Sequence, residues 1–305
     1  MKKILLLILA AICFSCTAQN TAERLGYDKD AILLILHADD LGVSHAENAA
    51  SIDAYEGGGI NSASIMVPCP WFPEIADYAI KNPDFDLGLH LTLTAEWKNY
   101  KWDGVSATSI VPSLLNDQQH FYSSSEEVSQ KASLAEVEKE IRAQVERAIA
   151  FGVIPTHLDS HMGSLFQTPE LFKVYQKVGA DYKIPVFIPY GSLKAAPALI
   201  DAIQPGQVVV DNLAMIGPEV SPEDWGEFYQ DIIRKLQPGL NEIIVHLAYD
   251  NTEMQAVTVD HPDFGAAWRQ RDYDVVMSEE FKNLINELNV KLVTWRQIQQ
   301  LQYPD

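Results

Sequence analysis

A histidine and two adjacent aspartates stand where one of the apolar runs of this sequence ends. The stretch "LILHADDLG", residues 34–42, places His37, Asp39 and Asp40 directly after Leu and Ile residues. Neighbouring side chains of a regular strand point to opposite faces, so both aspartates can reach one site only if the strand ends there. Gly42 permits the turn that such an ending needs. The alternative is structural: one aspartate caps the next helix and the other pairs with a lysine.

A second stretch, "PTHLDSHMG" at residues 155–163, carries three metal-competent side chains at alternate positions. His157, Asp159 and His161 would share one face if the strand continued that far. Few purely structural arrangements need three such side chains on one face. The spacing therefore predicts a metal or catalytic site, although motifs of this length also arise by chance.

Two further apolar runs carry histidines. His90 lies within "DLGLHLTLT", and "IIVHLAYDN" contains His246 followed by Asp250. A single histidine in a strand is more often a hydrogen-bonded core residue than a ligand. Considered with the first two stretches, these residues predict a group of imidazoles and carboxylates at the carboxyl ends of several strands.

Imidazoles and carboxylates without a cysteine form a borderline-to-hard ligand set. Such a set suits Zn²⁺, Mg²⁺, Mn²⁺, Co²⁺ or Fe²⁺. The sequence therefore predicts one divalent metal ion, Mg²⁺ or Zn²⁺ in the first place, and its spacing does not choose between them.

The side chains of this group can meet only if the strands that carry them are parallel and converge. Short Leu-rich or β-branched runs alternate with amphipathic helical patterns along the chain, as in repeated βα units. The predicted strands are 31–37, 61–67, 85–92, 154–158, 185–188, 207–211, 241–247 and 290–293. The predicted helices are 45–57, 71–81, 133–151, 168–182, 193–203, 221–236 and 278–288. Eight such units favour an α/β fold, an irregular TIM-like (β/α) barrel formed as one domain over residues 31–305.

Two segments carry signals for a helix start. "SLAE" at 133–136 has the pattern of a capping box, and "SPED" at 221–224 places Pro222 at the first helical position. The longest stretches without a regular pattern are 94–132 and 248–277. In a (β/α) barrel the loops after the strands build the active site, so the metal-competent residues would line a shared cavity.

Aromatic residues are concentrated in loops close to the predicted strand ends. Trp71 lies in "CPWF", Trp97 in "EWKNYKW" and Arg271 in the aromatic stretch "WRQRDY". Exposed rings beside a polar pocket suit the apolar faces of sugars. The same rings equally often serve the packing of loops, and the sequence leaves both interpretations open.

The N-terminus has the pattern of a secretory signal. Two lysines precede an apolar run over residues 4–12, which is too short to span a bilayer, and Cys16 follows a small residue. This arrangement resembles a bacterial lipobox. We therefore expect residues 1–15 to be a signal peptide, Cys16 to carry lipid, and residues 16–30 to form a tether. The expected location is the periplasm or outer membrane of a Gram-negative bacterium, with plain cleaved export as the alternative.

The charge balance limits the classes of partner. There are 22 basic and 42 acidic residues, which gives a net charge of −20. A field of this sign repels nucleic acid and anionic lipid headgroups, so we expect no nucleic-acid partner and membrane contact only through Cys16. Neutral or cationic substrates and metal cations fit better. Cys69 would have no partner for an intramolecular disulfide, and no feature of the sequence predicts an oligomeric state.

Considered together, the motifs resemble those of the YdjC-like carbohydrate deacetylases, the family of the chitooligosaccharide deacetylases. "HADDLG", "GGINSASIM", "GLHLTLT", "PTHLDSH" and "IIVHLAYDN" follow the order and approximate spacing of that family. The resemblance extends from about residue 31 to residue 295. It implies an irregular (β/α) barrel and a metal-dependent hydrolase that removes acetyl groups from N-acetylated oligosaccharides.

The resemblance also implies roles for individual residues. Asp40, His90 and His161 match the metal ligands of the family. Asp39 matches its general base, which would accept a proton from water, and His246 matches its general acid, which would protonate the departing amine.

Other polar residues near these positions would support the site. Asp159 or Asp250 would orient a histidine or hold a sugar hydroxyl, and His157 would either support a ligand or form ordinary hydrogen bonds within its strand. His37 stands where the family usually has asparagine, "MGSLF" replaces additional histidines, and His246 is followed by leucine rather than proline. These departures border the expected sugar site and weaken any transfer of substrate identity.

Three other functions fit parts of the sequence. "HLD" also begins the ligand set of non-haem iron oxygenases, although the βα alternation argues against their usual all-β fold. A glycoside hydrolase could use Asp39 with a second carboxylate on the same barrel. A surface lipoprotein could bind glycans through its aromatic loops without catalysis, although a pure binder has no need for an open metal position.

Overall fold

The structure, a computed structural model, describes residues 20–304. The predicted signal peptide and Cys16 lie outside the described residues. The described chain forms a single α/β domain with seven strands around which the helices are arranged. The strands are β1 (Ile32–Leu41), β2 (Ser62–Ile65), β3 (Leu87–Leu91), β4 (Leu158–Ser160), β5 (Asn212–Met215), β6 (Gly239–His246) and β7 (Lys291–Leu292).

Twelve α-helices and four short 3₁₀ segments lie within residues 20–304. The α-helices are α1 (Thr21–Arg24), α2 (His45–Glu56), α3 (Phe72–Lys81), α4 (Ser125–Lys131), α5 (Leu134–Ala150), α6 (Pro169–Tyr182), α7 (Tyr190–Ala195), α8 (Trp225–Lys235), α9 (Thr252–Val257), α10 (Ala266–Met277), α11 (Glu279–Glu287) and α12 (Trp295–Gln302). The 3₁₀ segments are Pro112–Leu114, His161–Phe166, Pro197–Ala202 and Pro222–Asp224. Over this range, no helix combines the length and apolar character that crossing a membrane requires.

The strands form a parallel sheet in the order β4-β3-β2-β1-β6-β5, and β7 pairs with the first half of β1. Both faces of β1 are buried, which explains why its sequence reads as a continuous apolar run. Leu34 and Leu36 belong to the large core that includes the helices. Leu33 and Ile35 point to the other face, into a second apolar cluster with Trp295. Alternation along β1 then places the next residues of that face, His37 and Asp39, above this second cluster.

Over residues 161–211, no regular strand lies between the two outer strands of this order, β4 and β5. The chain between them pairs through isolated parallel bridges, Leu158 with Val186 and Pro189 with Val210. The predicted strands 185–188 and 207–211 are therefore wrong as regular strands. Prolines at both ends of the first segment lack the N–H group that a ladder requires. The prediction of an α/β fold with parallel strands is confirmed, whereas eight regular strands are not formed.

The two stretches expected to be irregular contain helices. α4 lies within residues 94–132, and α9 and α10 lie within residues 248–277. Apolar and charged residues are spread around α10 without a clear apolar stripe, so its sequence lacks the usual helical pattern. The predicted capping box is also wrong, because Ser133 precedes α5 without any side-chain capping hydrogen bond. Pro222 does begin a helical turn, as predicted, but that turn is 3₁₀.

Candidate active site

A β-bulge turns both aspartates of the first motif towards the same cavity. Ala38 pairs with Ala63 and Leu41 with Ile65, so β1 contains one extra residue between these pairs. Asp40 accommodates the bulge with a positive φ of 73°. A non-glycine residue in this region costs about 1 kcal/mol or more, which is typical of functional sites. The strand therefore continues past the aspartates but loses its alternation, and this brings the two side chains together.

Three side chains from distant parts of the sequence converge on one point. His90 Nε2 lies 3.4 Å from Asp40 Oδ1, and His161 Nδ1 lies 3.3 Å from the same oxygen. β1, β3 and the end of β4 carry these residues, and all three side chains are buried. Each residue thus offers one ligand atom to a common centre.

The arrangement of these atoms fits a divalent metal ion. Asp40 Oδ1 is buried and has no hydrogen-bond partner, although an orphaned carboxylate oxygen is costly. Ligand atoms at roughly 2.0–2.1 Å from one ion lie about 3–3.4 Å apart, and the two distances to Asp40 Oδ1 match that separation. Two imidazoles and one carboxylate leave further coordination positions open, as in catalytic metal sites.

Two overlapping groups fit a metal less well. One consists of His37, His157 and Asp159, and the other of Asp39, His90 and Asp159. In both groups the atoms already bond to one another: His90 Nδ1 is 2.6 Å from Asp159 Oδ1, and His37 Nε2 is 3.1 Å from Asp159 Oδ2. These hydrogen bonds pair Asp159 with His90 and His37 without an ion. Of the buried polar side-chain atoms in the two groups, only His157 Nε2, 3.7 Å from Asp159, has no hydrogen-bond partner.

A carboxylate lies behind each of the two candidate histidine ligands. Asp159 contacts Nδ1 of His90, and Glu96 Oε2 lies 3.1 Å from Nε2 of His161. Such partners fix the tautomer and ring orientation of metal-binding histidines. The role predicted for Asp159 as an orienting residue is consistent with this contact. Glu96 was not singled out in the sequence, because nothing in its motif distinguishes it from the other acidic residues.

Arg269 on α10 forms the deepest ion pair of the site. Its Nη2 lies 2.8 Å from Asp40 Oδ2, and its Nη1 bonds to Glu47. Burial alone would raise the pKa of Asp40, but the charges of Arg269 and His161 hold that pKa well below its ordinary value. Asp40 is therefore ionised, with one oxygen held by the guanidinium and the other free for a cation.

The sequence-based choice of Arg271 as a substrate contact is not supported by its position. Two residues apart on a helix, Arg269 and Arg271 point in different directions. Arg271 lies over the ring of Trp225, 4.4 Å from its centroid, and does not line the cavity into which Asp40 points. The residue that sequence reasoning missed is the buried Arg269.

Asp39 and His246 face each other across the same cavity. His246 Nε2 lies 3.9 Å from an oxygen of each aspartate, Asp39 and Asp40. His37 Nε2 lies 3.1 Å from Asp39 Oδ1, which leaves Asp39 Oδ2 as the oxygen that faces His246. Burial lowers the pKa of His246 to about 4, so its imidazole is neutral near pH 7.

His157 lies one layer deeper than the candidate metal ligands. Its ring stacks on Trp295 with centroids 5.0 Å apart and meets the ring of His37 edge-on at 5.0 Å. Thr156 Oγ1 lies 3.1 Å from its Nδ1. This environment favours the structural alternative for His157 over direct contact with a substrate.

The converging residues line a cavity of about 810 Å³. Its lining consists of Asp39, Asp40, His90, Glu96, Trp97, Ser123, Ser160, His161, Met162, Gly163, Phe166, Phe187, Pro189, Ser192, Leu213, Met215, Ile244, His246, His261, Asp263, Phe264 and Arg269. His261, which follows α9, also lines the cavity. A volume of this size accommodates a small oligosaccharide.

The predicted aromatic contacts are mostly elsewhere. Trp97 lines the cavity but is almost fully buried, and the guanidinium of Arg269 lies over its ring, 5.4 Å from the centroid. Trp71 packs against His45 at 5.3 Å between ring centroids and lies outside the lining. Asp250 also lies outside it, on a separate surface pocket. The positions of Trp71 and Asp250 give no support to their predicted roles.

Comparisons with known proteins find relatives over most of the chain length. A carbohydrate deacetylase of Thermus thermophilus is 30% identical over 283 residues, which cover 91% of this chain and 97% of the relative. A carbohydrate deacetylase of Clostridium beijerinckii is 24% identical, covering 87% of this chain and 99% of the relative. A solved structure from Enterococcus faecalis, described as a candidate cellobiose-phosphate cleavage protein, has a TM-score of 0.72 at 23% identity. It covers 88% of this chain and 99% of its own, and it shares the fold.

The match to a family extends through every motif that supplies a residue to the cavity. Residues 33–287 match the family described as YdjC-like protein. This range includes Asp40, His90 and His161 together with Asp39 and His246. The chain therefore belongs to the YdjC-like family.

Proposed function

We propose that this protein is a metal-dependent carbohydrate deacetylase that removes acetyl groups from N-acetylated oligosaccharides. The observation that carries the proposal is the convergence of Asp40, His90 and His161 around an unpaired carboxylate oxygen, with Asp39 beside it. Relatives over most of the chain length are named carbohydrate deacetylases, which supports an acetylated carbohydrate as the substrate class.

In this proposal one divalent ion is held by Asp40, His90 and His161. When bound, it supplies Lewis acidity towards the acetyl carbonyl and towards water. Either Mg²⁺ or Zn²⁺ is compatible with two imidazoles and a carboxylate. The Arg269 guanidinium keeps Asp40 ionised and oriented for this role.

Asp39 is the proposed base. Its Oδ1 is fixed by His37, so Oδ2 is the atom that accepts the proton as water oxygen bonds to the acetyl carbon. The resting carboxylate suits this task, because the charges and hydrogen bonds of the neighbouring histidines His90 and His37 outweigh burial and lower the pKa of Asp39.

His246 is the proposed proton donor to the leaving group. As the carbon–nitrogen bond breaks, the amine nitrogen needs a proton, and acetate and a free amine are the products. His246 Nε2 lies 3.9 Å from Asp39 Oδ2, so the proton taken from water passes between the two residues after a small approach or through one bridging water. We propose that Asp159 and Glu96 orient the two histidine ligands, and that His37 positions Asp39.

The test is acetate release from a panel of N- and O-acetylated oligosaccharides. We expect release from N-acetylated substrates that stops with a chelator and returns when Mg²⁺ or Zn²⁺ is added back. New reducing ends without acetate would instead indicate a glycoside hydrolase. Chelator-insensitive binding without acetate would indicate a glycan-binding protein, and oxygen consumption with iron and an oxo acid would indicate an oxygenase.

We also propose that the chain is exported and anchored through Cys16. The support is the sequence pattern before that cysteine, which lies outside the described residues. Labelling of cells with a tagged fatty acid should mark the wild-type protein but not Cys16→Ser. Equal labelling of both would exclude this anchor.

A further inference from the structure

The cavity of the proposed deacetylase has an unusual balance of charges. Four carboxylates line it, from Asp39, Asp40, Glu96 and Asp263. Arg269 is the one lysine or arginine among the lining residues, and its side chain is almost fully buried against Asp40 and Glu47. With a divalent ion bound, the four carboxylates of the lining would face three positive charges, two from the ion and one from Arg269. Phosphate groups are usually bound by arginine, lysine or backbone N–H donors, and the basic side chain here is already committed.

Much of the remaining lining is apolar. Phe187 is buried and Ile244 half-buried, and Leu213, Met215 and Met162 have 42%, 44% and 45% of their surface exposed. Leu213 and Met215 belong to β5, which pairs only with β6 through its four residues. An apolar wall offers van der Waals contact to a sugar face but no compensation for a desolvated charge.

We propose that this cavity selects uncharged acetylated oligosaccharides and discriminates against the same sugars carrying a phosphate ester. This inference rests on the proposed function, because it names the substrate class of that site. The exposed carboxylate of Asp263 is the specificity residue at the rim. It repels an incoming dianion without contacting the candidate metal ligands.

The test compares an N-acetylated glucosamine disaccharide with the same disaccharide phosphorylated at a primary hydroxyl. We expect kcat/KM for acetate release to be at least roughly tenfold lower for the phosphorylated sugar at low salt. Asp263→Lys should reduce the ratio of kcat/KM for the unphosphorylated sugar to that for the phosphorylated sugar severalfold, since it replaces a negative rim charge by a positive one. Asp117→Lys makes the same change of charge on an exposed residue outside the cavity and should leave the ratio as in the wild type.

A binding measurement separates this inference from the proposed function. Titration calorimetry of both disaccharides with the metal-loaded His246→Gln variant, which keeps all four carboxylates of the lining, should give a clearly weaker Kd for the phosphorylated sugar. Equal or preferred use of the phosphorylated sugar would overturn the inference and leave deacetylation intact. If neither sugar releases acetate from the wild type, deacetylation fails, and the ratio of the two Kd values alone then decides whether the cavity excludes phosphate.

Discussion

Asp159 Oδ1 lies 2.6 Å from Nδ1 of His90. This contact fixes the ring so that the opposite nitrogen, Nε2, faces Asp40. Glu96 does the same for His161 with the nitrogens exchanged, because Glu96 meets Nε2 and leaves Nδ1 for Asp40. The candidate metal site is therefore built in two layers, in which carboxylates orient the imidazoles before any ion binds.

Asp159→Asn should weaken metal binding by about 10–100-fold, because the histidine it orients loses a charged partner. Glu96→Gln should weaken it by a similar factor through His161. The measurement is competition with a chelator of known affinity, followed by thermal unfolding with and without metal. If metal affinity stays within twofold of the wild type in both variants, the two-layer arrangement has no functional role.

Asp39→Asn should separate metal binding from catalysis. The amide keeps the size of the side chain but cannot accept a proton, so we expect normal metal content and a loss of turnover of about 100-fold or more. His161→Ala should lose both. Metal content by elemental analysis and acetate release are the two measurements. Near wild-type turnover of Asp39→Asn would remove Asp39 from the mechanism.

Much of the fold follows from local patterns. β1 and β6 are buried on both faces, so continuous apolar runs predict them, and the helices with an apolar stripe, α3, α5 and α6, are close to their predicted bounds. α10 was missed because its buried positions include charged residues as well as apolar ones: Trp268 is buried by packing, and Arg269 is buried as half of an ion pair. The helix therefore lacks the apolar stripe on which the prediction of a helix depends.

The candidate site was predictable where the residues are of types, such as histidine and aspartate, that commonly bind metals or transfer protons. Histidines and aspartates at strand ends indicated the cluster, and the family resemblance, rather than their spacing, selected Asp40, His90 and His161 from the three overlapping groups. The geometry of that group depends on a bulge at Asp40, which the sequence does not encode in any simple pattern. Glu96 and Arg269 enter the site through long-range contacts, and their neighbours in the sequence gave no sign of them.

Arg269→Met should destabilise the fold strongly. It removes a buried cation and leaves the ionised carboxylate of Asp40 without its partner, which costs about 3–5 kcal/mol. Urea unfolding would measure the loss. Lys81→Met, which breaks an exposed pair, should change stability by less than about 1 kcal/mol. Wild-type stability of Arg269→Met would contradict this reading of the ion pair.

Glu242 makes stability depend on pH. Burial, with the nearby carboxylates of Asp159 and Asp39, raises its pKa from 4.5 to about 8, so the folded protein holds this proton more tightly than the unfolded chain. The stabilisation is complete below pH 4.5 and declines as the pH rises towards 8, by up to about 1 kcal/mol per pH unit. Glu242→Gln should reduce this slope in urea unfolding and leave the part that comes from Glu47, whose pKa burial also raises to about 8, whereas Glu223→Gln on the surface should retain the whole slope. The same slope in both variants would assign the dependence to other groups.

At Gly88, replacement by alanine, which adds only a methyl group, should lower the stability of the fold. A Cβ atom there would clash with the imidazole of His157, whose ring is held between Trp295 and His37. The ring cannot move aside without disturbing the layer beneath the candidate metal ligands, so Gly88→Ala should cost about 1–3 kcal/mol in urea unfolding. It should also lower acetate release, because His157 Nε2 lies 3.7 Å from Asp159. The matched control is Gly226→Ala on α8, where a Cβ meets no atom within 4 Å and alanine favours the helix. Equal stability of the two variants would mean that the ring of His157 has room that the packing does not indicate.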